Sequence, residues 1–216
     1  MKAMKELQEI AQFLEQGQVQ RVVALTRQLV DAGASPQMIL NEGLIAGMSV
    51  VGEKMRSGEM YLPEVLQSAS AMHASLGILK PLLAKEGAKP LGKVLLGTVK
   101  GDMHDIGKNL VGIMLQGAGF EILDLGLNVS PEKFVEGITT HHPSIVGMSA
   151  MLTTTMLNMR TTIDTITAAG LRAEVKIIIG GAPVSQKFAD EIGADGYARD
   201  AVLAVGSVKH LLSLEK

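Results

Sequence analysis

A helical bundle followed by a parallel α/β sheet is the fold this sequence predicts. Three observations carry that reading. Residues 1 to about 88 show helical periodicity and no convincing strand. A polar Gly/Pro stretch follows, Lys85-Glu86-Gly87-Ala88-Lys89-Pro90-Leu91-Gly92. After it, short apolar runs alternate with helical patterns.

In the first half, Leu7, Ile10, Ala11 and Leu14 set a helix over 4–16. Val19, Val22, Val23, Thr26, Leu29 and Val30 set a second over 18–32. Ser35-Pro36 starts a third, because a capping hydroxyl precedes a proline whose missing N–H is not needed at the first helical position. Leu40, Leu44, Met48, Val51 and Met55 continue it. Pro63 opens the fourth in the same way. Along it Val65, Ala69, Met72, Leu76, Leu79 and Leu83 recur at alternating steps of four and three. Four helices with short connections predict a small bundle as a first domain, 1–88.

Beyond the linker, strands are expected at Lys93–Val99, Glu121–Leu125, Ser144–Ser149, Lys176–Ile179 and near Gly196-Tyr197. Helices are expected at about 106–118, 131–141, 154–169, 185–192 and 199–213. Such βα units in series predict a second domain, 89–216, with a five-stranded parallel sheet and helices on both faces. Sheets of this kind bind ligands at the carboxyl ends of their strands, where the strand order switches.

Composition narrows the function classes. Of 216 residues, 47% are hydrophobic and 19% charged, which predicts a soluble packed protein. A net charge of -2 with no basic block argues against nucleic-acid binding. No apolar run approaches the roughly 20 residues of a membrane span. The N-terminus leads into an amphipathic pattern and not a secretory segment, so a cytoplasmic protein is expected. The absence of cysteine removes disulfides, thiolate metal sites, cysteine nucleophiles and iron–sulfur clusters. Aromatic residues, at 3% with no tryptophan, are too few for stacking platforms. The 13 methionines are expected to fill core space.

The loop after the first strand, Lys100 to Lys108, occupies a usual ligand-binding position. A dinucleotide fingerprint fails there, since Gly101 and Gly107 are too far apart and no third glycine completes it. A phosphate loop fails too, because five residues separate those glycines and Asn109 stands where a magnesium-binding hydroxyl is needed. Asp102-x-His104-x-x-Gly107 offers a third reading. The imidazole projects into the crevice, and Asp102 accepts a hydrogen bond from its second nitrogen, fixing the tautomer and raising basicity. Gly107 lets the backbone pass close to a bulky ligand. The competing reading makes His104 a surface histidine and Asp102 a helix cap. Strand-end placement favours the ligand reading, and the motif by itself leaves both open.

Three signatures now stand in order: Asp102-x-His104-x-x-Gly107, Ser149 after the third strand, and Gly180-Gly181 after the fourth. Together they resemble the base-off, His-on cobalamin-binding domains. The resemblance covers the whole chain. Gly52-Glu53-Lys54-Met55 through Leu62-Pro63-Glu64-Val65 is similar to the helical cap of the methionine synthase cobalamin module. Residues from Gly180 to Tyr197 are similar to stand-alone corrinoid proteins of methanol, methylamine and methoxyaromatic methyltransferase systems.

That resemblance implies a helical cap followed by a flavodoxin-like (Rossmann-like) sheet. It implies a cobalamin or related corrinoid whose cobalt is ligated by His104, with Asp102 hydrogen-bonded to the imidazole. Gly101, Met103, Asp105, Ile106 and Gly107 fall in the same cofactor-binding loop. Thr155 would complete a His–Asp–hydroxyl relay, or alternatively cap a helix. Ser149 and Thr153 would contact the nucleotide tail, with Met151 where the family often has leucine. Gly180, Gly181 and Ala182 would leave room for the lower base, and Tyr197 and Asp200 would be rim contacts. Met55, Leu62 and Val65 would shield the upper corrin face, or else belong to the bundle core. His73, His141, His142 and His210 lack the spacing of a second metal site.

The implied role is a methyl carrier with no catalytic residue of its own. Cob(I)alamin takes a methyl group from a partner methyltransferase, and the resulting methylcobalamin yields it to a second, acceptor methyltransferase. A reductive activation protein is expected as a further partner. Asp102 would couple the cobalt state to proton uptake, and residues 85–92 would act as a hinge. Alternatives are the small subunit of a cobalamin mutase, a cobalamin-binding sensor, and an empty flavodoxin-like signalling domain.

Overall fold

A computed structural model describes residues 2–86 and 89–214. Gly87 and Ala88, within the expected hinge 85–92, lie outside the described residues. The described chain divides into two compact units. One ends at Pro90 and takes in Gly117–Gly119; the other comprises Leu91–Gln116 and the chain from Phe120 onward.

The first unit is helical. It contains α1 (Lys2–Glu15) and α2 (Val19–Asp31), then α3 (Pro36–Met38), a π-helical stretch (Ile39–Ile45) and α4 (Ala46–Ser57) in uninterrupted succession, and α5 (Leu62–Lys85). The expected third helix is therefore present, but with a wide turn in its first half. In a π turn the residues five apart share a face. The buried set accordingly runs Ile39, Leu44, Met48 and Val51, while Leu40 is only half-buried. In α5 the buried residues Val65, Ala69, Met72, Leu76 and Leu79 follow the steps of four and three read from the sequence.

The second unit alternates strands and helices: β1 (Lys93–Thr98), α6 (Ile106–Gly117), β2 (Glu121–Asp124), α7 (Pro131–His141), β3 (Ile145–Ser149), α8 (Leu157–Ala168), β4 (Lys176–Gly180), α9 (Gln186–Ile192), β5 (Gly196–Ala198) and α10 (Ala201–Leu211). All pairings are parallel and the order is β2-β1-β3-β4-β5, the flavodoxin-like arrangement. β3 lies at the centre, its first four residues buried, as a strand covered on both faces requires. One face packs Leu95, Val146, Met148, Ile177 and Ile179 against Phe134, Ile138, Met159, Ile163 and Phe188. Gly97 permits the close approach of α7, because a Cβ there would stand 2.6 Å from the Phe134 ring.

The topology fixes where a ligand can meet the sheet. β1 has β2 on one side and β3 on the other, so the strand order switches beside it. Thr98 pairs with Ser149, and Ser149 with Gly180, so the loops after β1, β3 and β4 leave the sheet at the same level. No helix among the described residues is long and apolar enough to cross a membrane.

Phe134 is fully buried between β1 and its covering helices. Phe134→Ala is expected to lower stability by about 3–5 kcal/mol in urea unfolding, through the cavity it leaves. A loss below about 1 kcal/mol would contradict this packing.

Candidate functional site

After β1 the chain turns through Lys100 and Gly101 and reaches Asp102, whose side chain has no exposed surface. His104 follows, its side chain 56% exposed. The two form one unit. His104 Nδ1 lies 2.8 Å from Asp102 Oδ1, and the His104 amide donates to the same oxygen at 3.1 Å. The Thr98 hydroxyl donates to the His104 carbonyl at 3.0 Å, tying the loop back to the end of β1.

The second carboxylate oxygen is held by the segment after β3. The Met151 amide donates to Asp102 Oδ2 at 2.7 Å and the Thr155 hydroxyl at 2.5 Å. Burial by itself would push the Asp102 pKa up. The hydrogen bonds from Thr155, from the Met151 amide and from His104 outweigh burial and hold the carboxyl well below the usual carboxylate range. An ionised Asp102 is an acceptor only, so the proton of a neutral His104 sits on Nδ1. Nε2 is thereby left with its lone pair, on the exposed ring.

Both functions suggested for Thr155 can be compared with this geometry. Its hydroxyl reaches Asp102, and it does not cap α8, whose N-cap residue is Met156 and has no side-chain cap hydrogen bond. That helix starts at Leu157, later than the expected 154, because residues 152–156 form turns that present the Met151 amide and Thr155 to Asp102. The Asp102 carboxylate likewise caps no helix: its hydrogen-bond partners are His104, Met151 and Thr155.

Large apolar side chains stand exposed in the same two segments. Met103, on the loop, is 66% exposed and Ile106, the first residue of α6, 70%, and Met151 and Leu152 are also exposed after β3. The expectation that the methionines fill the core thus fails for Met103 and Met151. Gly107, in the first turn of α6, would meet nothing within 4 Å if it carried a Cβ. Nothing in the protein requires glycine there, and the space stands open. Asp105 precedes α6 and accepts a hydrogen bond from Asn109 at 3.0 Å.

The remaining expected residues lie as follows. Ser149 is half-buried at the end of β3, and Thr153 is exposed. Gly180 ends β4, and Gly181 and exposed Ala182 follow it. Gly181 has φ +125, and a Cβ there would fall 1.8 Å from the Ala150 carbonyl oxygen, so the backbone itself demands glycine. Tyr197 packs partly buried against the core cluster, and Asp200 caps α10 by accepting from the Leu203 amide at 2.9 Å. Met55, Leu62 and Val65 belong to the helical unit. Val65 has no exposed surface and serves the bundle core, whereas Met55 and Leu62 are half-buried. His73, His141 and His142 are exposed, and no cluster of three or more potential metal ligands occurs among the described residues.

Sequence reasoning missed three residues. Asn128, after β2, accepts from the Gly101 amide at 2.7 Å and donates from its own amide to the Asp102 carbonyl at 3.1 Å. Asn158 donates to the Lys100 carbonyl at 2.8 Å. Buried Lys108 pairs with Asp124 at 2.5 Å. A helical lysine and an acidic strand end were visible signals for the last pair; loop asparagines gave none.

Residues 92–206 match the model of a B12 binding domain, and residues 6–80 match a second model described in the same words. A corrinoid protein of Desulfitobacterium hafniense is 41% identical over 212 residues, spanning 97% of this chain and 98% of the relative. Trimethylamine corrinoid protein 2 of Methanosarcina acetivorans is 45% identical over 180 residues, 82% of this chain and 83% of the relative. The crystal structure of the methanol:cobalamin methyltransferase complex of Methanosarcina barkeri aligns with a TM-score of 0.87 and 28% identity, covering 98% of this chain and 81% of that chain.

Thr155 provides the largest of the hydrogen-bond effects that lower the Asp102 pKa. Because that pKa is depressed in the folded chain, the stability it confers is present above the ordinary value of 3.8 and is lost as the pH falls below it. Thr155→Val is expected to cost about 1–3 kcal/mol near neutral pH, measured by urea unfolding. Its gap to wild type should close as the pH drops below 3.8. A gap independent of pH would contradict the assignment.

Proposed function

This chain belongs to the B12-binding domain family, and we propose that it is a corrinoid methyl carrier, holding cobalt through His104 while partner methyltransferases load and unload the methyl group. One observation carries the reading. Asp102 ties up Nδ1 of His104 and leaves Nε2 with its lone pair on a ring 56% exposed, in a loop at the switch point of the sheet.

The donor set fits a corrinoid. A single imidazole with a hydrogen-bonded carboxylate behind it would serve as the one protein ligand of a metal whose other ligands come from a macrocycle. Exposed Met103, Ile106, Met151 and Leu152 suit the apolar faces and edges of a large planar ring, and the open space at Gly107 suits its close approach. When bound, the corrinoid supplies a cobalt centre able to take up and give away a methyl group.

The chain's own residues do the rest. Asp102 keeps the proton on His104 Nδ1 and orients the ring. Thr155 and the Met151 amide keep Asp102 ionised. Gly101, Asp105, Ser149, Thr153, Gly180, Gly181, Ala182 and Tyr197 complete the proposed binding surface. No group here is asked to perform bond-making chemistry, so the protein is a carrier subunit. The similar trimethylamine corrinoid protein and the methanol:cobalamin methyltransferase complex support a substrate-specific methyltransferase as one partner. A second methyltransferase and a reductive activation protein complete the proposed system.

Reconstitution with methylcobalamin tests this reading. The wild-type protein is expected to bind one equivalent and to give the absorbance of a histidine-ligated, base-off corrinoid. His104→Ala is expected to abolish that spectrum and to weaken binding by about 10–100-fold. A His104→Ala protein with unchanged affinity and spectrum would sink the ligand assignment.

A further inference from the structure

Three consecutive residues of the His104 loop are gripped by two asparagines from different elements. Asn158, in the first turn of α8, donates from Nδ2 to the Lys100 carbonyl at 2.8 Å. Asn128, between β2 and α7, accepts from the Gly101 amide through Oδ1 at 2.7 Å. The Asn128 amide donates to the Asp102 carbonyl at 3.1 Å. Asn128 has φ 51, a left-handed conformation that asparagine adopts more readily than other non-glycine residues. Its identity therefore answers two demands at once, the backbone turn and the Gly101 amide.

The grip matters because of what Asp102 must do. Its side chain is anchored to Met151 and Thr155, while its backbone carries the chain on to His104. A carboxylate fixed at one end still allows the loop to pivot unless the backbone is fixed as well. Asn128 and Asn158 fix it from two sides, on Lys100, Gly101 and Asp102. We propose that Asn128 and Asn158 form a clamp that positions Asp102 and, through it, His104, and so sets how strongly His104 ligates a corrinoid cobalt. The inference rests on the methyl-carrier reading for its ligand. Both asparagines are positioning residues and touch no reacting atom.

Four variants of the full chain test the clamp: Asn128→Gly, Asn158→Ala, the two together, and Asn128→Asp. Glycine keeps the left-handed turn and removes only the acceptor, so folding is preserved; aspartate restores an acceptor. In the apo-protein, imidazole nitrogen NMR shifts report how fully His104 carries its proton on Nδ1. In the protein mixed with methylcobalamin, visible absorbance at pH 7 reports the dissociation constant and the histidine-ligated fraction.

Asn128→Gly and Asn158→Ala are each expected to loosen the Nδ1–H preference, to lower the histidine-ligated fraction and to weaken binding about 10-fold, and the double variant more. Asn128→Asp is expected to recover near wild-type values. Wild-type spectra and affinity in both Asn128→Gly and Asn158→Ala would overturn the clamp, provided the wild-type protein itself binds through His104. Failure of Asn128→Asp to rescue, with losses equal to those of Asn128→Gly, would also overturn it, since a merely structural disturbance would give that result. Failure of the wild-type protein to bind methylcobalamin would instead overturn the methyl-carrier reading, and the clamp's ligand with it.

Discussion

A carboxylate sealed from water must draw its hydrogen bonds from the protein, and Asp102 draws four. Burying an unpaired charge costs far more than a domain's net stability allows. The fold therefore has to bring the donors together. Parallel register does this: Thr98 sits beside Ser149, so the loops after β1 and β3 emerge side by side. The first supplies His104, and the second supplies the Met151 amide and Thr155. Once Asp102 is ionised and paired, the orientation and tautomer of His104 follow from it.

The same constraint explains why such a site displays apolar side chains. Exposed Met103, Ile106, Met151 and Leu152 would be poor choices for a surface whose only contact is water. They lie in the two segments that carry His104 and the donors to Asp102. Such a combination of one directed nitrogen and exposed apolar side chains matches a large flat ligand that already carries its own metal. It does not match a metal ion held by side chains alone, and no three-residue ligand cluster occurs among the described residues.

Much of this was legible in the sequence, for identifiable reasons. The strands were legible because short buried runs bounded by Gly and polar residues have few other uses, and their order follows from βα repetition. Asp102 and His104 were legible because a two-residue spacing lets a side chain bond back onto its own loop. Other features were hidden. Met151 contributes through its amide, which any non-proline residue could supply. Thr155 lies 53 residues from Asp102 and was reached only through the family resemblance, since it is the sheet register that brings the two together. Asn128 looked like an ordinary loop residue. Gly181 was read as room for a ligand, yet the Ala150 carbonyl already excludes a side chain. The π-helical stretch was invisible because Leu40 continues a regular step of four that the chain abandons in favour of Ile39.

The central claim is that a nitrogen of His104 binds cobalt. Electron paramagnetic resonance of the protein loaded with cob(II)alamin reads that bond directly, because one coordinated nitrogen splits each cobalt line. Histidine labelled with nitrogen-15 should convert the threefold splitting of natural nitrogen into a twofold one, and His104→Ala should remove the effect of the label. A splitting unaltered by labelled histidine would mean that the cobalt is held by another base, and would contradict the account.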